Sequence, residues 1–240
     1  MPDNKLNEFV ERLKSAGAGN LKAVILYGSA ATDEFHAKHS DLNVLCVVDQ
    51  ADAAHLAALH GPVDWWIRRG QRTPFVFTRE ELQRSADIFT IELLDMKSRH
   101  RILFGENVLA ELSVPLQHHA LQVERELRTN WLRLREAILA SPKRPKVYLE
   151  LMTSSFSSFV ALFRHALISL GEAPAESRRD AIDRIAQFAA ADPAGFHTVL
   201  GVREGKLRGR DLDLEKTLNQ YFAFVEAVTD TFDRRLDTKK

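Results

Sequence analysis

The apolar residues of this chain change their period near Pro115. Before it, short β-branched or aromatic runs alternate with short helical stretches; after it, nearly every apolar residue recurs at three-to-four spacing. Interleaved strands and helices build a sheet domain, and a run of helices with no strands builds a bundle. A chain of 240 residues is long enough to give each half its own core. The expected fold class is therefore α+β, with a mixed sheet and flanking helices over residues 1–114 and a helical bundle over residues 115–240.

In the first half, Leu6, Phe9, Val10 and Leu13 form the stripe of an opening helix that ends at Gly17. Ala23–Tyr27 reads as a buried strand stopped by Gly28, and Leu42–Val48 is apolar enough to be central in its sheet. Residues 52–60 read as a helix ending at Gly61-Pro62, and residues 74–77 as a short strand. Thr78 and Glu81 have capping-box spacing. Phe89–Leu94 reads as another strand, and Arg101–Phe104 leads into Gly105. In the second half, helices are expected over 117–140, 145–170 and 214–236, with shorter pieces over 175–190 and 193–202. The glycine-punctuated segment Gly201–Arg210 reads as a mobile loop.

Charge and cysteine content narrow the function classes. Lys+Arg and Asp+Glu balance at 33 each, so the composition gives no electrostatic case for nucleic acid or membrane. Cys46 is the only cysteine, which excludes an intrachain disulfide and a cysteine-based zinc cluster. Residues Met1–Lys5 are polar and lack a signal-peptide pattern. No apolar run approaches the roughly 18 residues a membrane helix needs. The expectation is a soluble, cytoplasmic protein with no membrane partner.

The stretch Leu26-Tyr27-Gly28-Ser29-Ala30, followed by Ser40-Asp41-Leu42-Asn43-Val44-Leu45, carries the chemistry. Glycine lets a backbone approach a phosphate closely. A short helix starting at Ser29 would offer free N–H groups and a hydroxyl, although Gly-Ser after a strand is also an ordinary turn. Asp41 and Asn43, two apart on a strand, project to one face. Oxygen ligands there suit Mg²⁺ beside a substrate phosphate. The plainer alternative is that Ser40-Asp41 caps the strand and Asn43 is an edge residue. Glu92, inside an apolar strand, needs solvent, a cation or a metal. It reads either as a structural ion-pair partner or as a general base, with Asp95 a weaker candidate.

Together, Gly-Ser after a strand, an outward Asp on the next strand and a later strand-borne Glu resemble the nucleotidyltransferase superfamily of DNA polymerase β. The chain looks most like the bacterial aminoglycoside nucleotidyltransferases, which pair such a domain with a helical one. Residues 24–48 carry the resemblance best, residues 89–105 (with Phe104-Gly105-Glu106) less closely, and the C-terminal half as architecture. The resemblance implies that Gly28, Ser29, Ser40 and Asn43 hold the nucleotide, ATP foremost among nucleoside triphosphates. It further implies that Asp41 and Asn43 ligate Mg²⁺, and that Glu92 and Asp41 serve catalysis. The second carboxylate of the usual metal pair is here Asn43, whose amide oxygen brings no charge.

Three readings follow. The first is Mg²⁺-dependent transfer of a nucleoside monophosphate to a hydroxyl of a small molecule, with an aminoglycoside-like acceptor. The second is a catalytically impaired nucleotide-binding or protein-interaction module. The third is a toxin–antitoxin-type enzyme acting on RNA or protein, which would want a basic face.

Other features read as structural more readily than functional. Trp65-Trp66 with Arg68 and Arg69 is expected to be core plus rim. Lys206, Arg208 and Arg210 read as a solvated charge run. His36 and His39 make poor evidence for zinc, His118-His119 reads as a helix start, and Arg164-His165 stands evenly between an interhelix contact and a ligand contact.

Overall fold

The structure, a computed structural model, describes residues 2–31 and 42–237. The chain divides into two compact units, Met1–Pro115 and Leu116–Lys240.

The first unit is built on four strands: β1 (Leu21–Tyr27), β2 (Asn43–Val48), β3 (Phe75–Thr78) and β4 (His100–Gly105). Their order is β3-β2-β1-β4. β1 runs antiparallel to β2 and β4, while β2 and β3 are parallel. The two inner strands read as unbroken apolar runs because both faces of the sheet are covered. Val24, Leu26, Val44 and Cys46 pack with Leu6, Phe9 and Leu13 of helix α1 (Pro2–Gly17) and with Trp66. Ala23, Ile25, Leu45 and Val47 face the other way, onto Leu82, Ala86, Leu93, Met96 and the segment 108–112. Thr78 closes β3 and opens α4 (Arg79–Arg84) with the expected capping box. The mixed sheet with flanking helices is as the sequence led us to expect.

Two local expectations are corrected. Residues 90–98 are not a strand but helix α5 (Thr90–Ser98). The buried positions from 82 onward are Leu82, Ala86, Thr90, Leu93 and Met96, a helical stripe. The Thr90 hydroxyl donates back to the Ala86 and Asp87 carbonyls, continuing the preceding helical turn (3.2 and 3.1 Å). A short apolar run with β-branched and aromatic residues fits either state, and burial from one side decided for helix. Likewise, Gly61-Pro62 does not end a helix. The chain turns at Leu59 after α2 (Ala53–Ala58), and α3 (His60–Ile67) contains both residues. Pro62 sits in the first turn, where its missing N–H leaves no helical bond unmade.

The second unit is a bundle of α6 (His119–Ala140), α7 (Pro145–Ser169), α8 (Arg178–Ala189), α9 (Ala194–Arg203) and α10 (Leu214–Asp237). Its core is aromatic: Phe156, Phe159, Phe163, Phe196, Tyr221 and Phe224 are all buried. Phe196 stacks on Tyr221 with centroids 4.1 Å apart. Gly195 makes that stack possible, since a Cβ there would lie 2.5 Å from the backbone nitrogen of Tyr221. By length and composition α7 alone among the described helices could cross a membrane, but half of that stretch is buried in the bundle. Its apolar character belongs to a core helix. Gly201–Arg210 is not one loop: Gly201–Arg203 complete α9, and Gly209–Asp211 form a 3₁₀ turn.

Candidate functional site

β1 ends where the chemistry was expected. Tyr27 pairs across the sheet with Asn43 on one side and His100 on the other. Gly28 then takes φ +78°, a left-handed conformation that a side chain would resist. Its N–H donates to the Arg99 carbonyl at 2.9 Å, which ties the turn to the end of α5. A 3₁₀ turn, Gly28–Ala31, follows. Asn43, half-buried, opens β2, and its amide lies 3.5 Å from where a Gly28 Cβ would stand. The side chain of Ser29 and all of Ser40, Asp41, His36 and His39 lie outside the described residues.

Around this turn the structure gathers groups that the sequence did not flag. The Tyr27 ring stacks on Phe75 at 6.5 Å. Burial pushes the Tyr27 phenol up to about 12; Arg72 opposes that shift and Glu92 adds to it. Tyr27 therefore stays protonated, able to donate a hydrogen bond, at any ordinary pH. Glu92 is close enough to act on it electrostatically, but from the exposed side of α5. On a helix the carboxylate is free of the burial cost that a strand interior would have imposed. It lines a small apolar pocket of about 70 Å³ with Phe75, Phe77, Phe89, Leu93 and Met96.

A divalent cation beside a triphosphate needs anionic oxygens. Asn43 supplies a neutral amide, and among the described residues no group of three or more His, Cys, Asp or Glu side chains converges. The described donors do not by themselves fit a Mg²⁺ site. Asp41, the carboxylate expected there, lies outside the described residues.

No protein-family profile matches the sequence, and no curated protein is similar to it in sequence. Among solved structures, spectinomycin adenyltransferase AAD(9) from Enterococcus faecialis, determined with ATP and spectinomycin, is similar in fold. The TM-score is 0.57 at 14% identity, covering 93% of this chain and 99% of that one. This chain has the fold of that adenyltransferase. The likeness extends across both the sheet unit and the helical bundle, because nearly the whole of each chain is covered.

The remaining sequence candidates separate clearly. Trp66 is fully buried against Phe9, as core, while Trp65 lies under the guanidinium groups of Arg12 (4.7 Å) and Arg69 (3.9 Å). Trp65 is therefore rim, its rings already occupied by the protein's own cations.

His119 corrects an expectation. It does more than open α6: it is buried, with Nε2 3.0 Å from Nδ1 of His165 and Nδ1 3.0 Å from the Ser169 hydroxyl. That hydroxyl donates to the His165 carbonyl. The Ser169 hydroxyl and the two imidazoles thus form one buried chain of hydrogen bonds. The partners are 46 and 50 residues apart in sequence, and no local pattern announces them. Arg164, beside His165 on α7, is buried as well.

Proposed function

We propose that this protein binds a nucleoside triphosphate, ATP foremost, at the turn after β1, and transfers its nucleoside monophosphate to a hydroxyl of a small-molecule acceptor, the new oxygen–phosphorus bond forming as the α–β phosphoanhydride bond breaks and pyrophosphate leaves. The observation that carries the reading is the likeness, over 93% of the chain, to an adenyltransferase whose structure holds ATP and spectinomycin. The left-handed Gly28 beside Asn43 supports it, offering a bare backbone to a phosphate. In this reading Gly28 and Ser29 hold the phosphates, with Ser40 and Asn43 beside them. The protonated Tyr27 phenol stands at the same strand end as a hydrogen-bond donor. Glu92 takes the proton of the acceptor hydroxyl. Binding both substrates together supplies much of the rate by fixing the hydroxyl in line with the α-phosphorus. Mg²⁺ enters this reading only through Asp41. An aminoglycoside-like acceptor is the first to test.

Two observations favour a second reading, nucleotide binding without transfer. Asn43 contributes no charge, and Glu92 stands at an exposed position of a helix rather than on a strand of the sheet. Phosphoryl-group chemistry depends on charge neutralisation and positioning, and this site has less of both than two strand-borne carboxylates would give.

Calorimetric titration of ATP and GTP, each with and without Mg²⁺, separates the readings when followed by mass spectrometry of spectinomycin and aminoglycoside acceptors. Transfer requires an adenylylated product that Asn43→Asp increases and Asp41→Ala abolishes. Binding with no product from either the native chain or Asn43→Asp selects the second reading. No binding of either nucleotide overturns both.

A further inference from the structure

The helical unit carries a second candidate site, independent of the nucleotide reading. An open groove of about 850 Å³ lies between the first turn of α7 and the segment that enters α10. Its floor is aliphatic, with Leu149, Leu212 and Leu214; its rim is cationic, with Lys146, Arg208 and Arg210. Lys143 and Arg144 immediately precede it in sequence. Gly209 sets one wall so close to α7 that a Cβ there would stand 2.4 Å from Leu149. The apolar floor is thus held by direct packing.

The cations of this groove differ from the ion-paired cations of the sheet unit. Arg12, Lys14, Lys22, Arg79 and Arg84 each have a carboxylate within 3.1 Å. The side chains of Lys143, Arg144 and Arg208 have no ion-pair or hydrogen-bond partner among the described residues. Lys146 reaches Glu150 only at 4.0 Å, and Arg210 reaches Asp211 only at 3.7 Å. The first turn of α7 holds no acidic residue, and Arg144 at its N-cap makes no side-chain cap. Unpaired positive charge gathered at the positive end of a helix is unfavourable until an anion answers it.

We propose that this groove docks an acidic amphipathic helix of a partner protein. Aliphatic side chains of that helix would cover Leu149, Leu212 and Leu214, and its flanking carboxylates would pair with Lys146, Arg208 and Arg210. A single-stranded nucleic acid fits less well. The floor has no aromatic ring on which a base can stack, and the chain as a whole carries no net positive charge.

The test uses the full chain and a fluorescein-labelled 18-residue peptide, about five helical turns long. Leucines are placed at i, i+3, i+4 and i+7, with glutamates on the flanks. Fluorescence anisotropy should show saturable binding that the exposed double variant Lys146→Glu, Arg208→Glu weakens at least ten-fold. Lys22→Glu, on the sheet unit, should leave it unchanged. A scrambled peptide of the same composition should bind at least five-fold more weakly. Because the reversed residues are exposed, circular dichroism should report an unchanged fold. The proposal is overturned if charge reversal at the groove has no effect, or if the scrambled peptide binds as tightly. It is equally overturned if a 20-nucleotide oligouridylate or phosphatidylglycerol vesicles bind more tightly than the peptide and lose that binding in the double variant.

Discussion

The two units place their polar groups oppositely. In the sheet unit, Thr90 is the one buried polar residue among the described positions, and the chemistry-bearing groups stand at strand ends and on the exposed side of α5. In the helical unit, His119, Arg164, His165, Thr217 and Thr229 are all buried. A strand alternates its faces and stops, so its polar residues collect at its ends, where a ligand can reach them. Helices that face one another for many turns can enclose a polar pair and satisfy it internally. The sheet unit thus keeps its polar groups at its surface, while the bundle encloses some of its own.

Four measurements press on this contrast. Truncating the large buried ring of each unit, Trp66→Ala and Phe196→Ala, should cost about 3–5 kcal/mol apiece in urea denaturation; a loss under about 1 kcal/mol in either would mean that unit lacks a close-packed core. His119→Leu should cost about 1–3 kcal/mol, because it leaves His165 Nδ1 without its buried hydrogen-bond partner. A neutral result there would remove the internal hydrogen-bond circuit from the account.

Cys46 gives a pH-dependent test of the sheet. Burial pushes its thiol from 9.0 up to about 12, so the native fold favours the protonated form. That contribution to stability is complete below pH 9 and is lost as pH rises towards 12. At pH 8 the native thiol should resist a disulfide reagent for hours and react at once in denaturant. Rapid native labelling would show that the β2 face opens readily.

The smallest expected effect is at Glu92. Glu92→Gln should lower the Tyr27 pKa from about 12 without restoring the ordinary value of 10.0, since burial is the larger cause. Ultraviolet titration of tyrosinate reads that shift. An unmoved titration would detach Glu92 from the strand-end site and leave only the turn at Gly28 and Asn43 in it.

Much of this architecture could be read directly. The stripe of α1, the strand stopped at Gly28, the capping box at Thr78 and the long helices of the bundle are each announced by nearby residues. Their causes are local: period, glycine conformation and capping chemistry all act within a few positions. The misread segments have nonlocal causes. Phe89–Leu94 suits strand or helix equally until the sheet face it covers is known, and Gly61-Pro62 ends one helix or begins another depending on where the chain turns.

The candidate site divides in the same way. The sequence alone determined that a Gly-Ser turn follows a buried strand, that a second apolar strand carrying Asn43 comes next, and that a helical half follows a sheet half. Only the tertiary structure decided that Glu92 is helical and exposed, that Tyr27 and Phe75 share its neighbourhood, that His119 meets His165, and that cations ring an aliphatic groove. Backbone preference is written in adjacent residues, whereas proximity between distant ones comes into being only when hydrophobic burial closes the chain on itself.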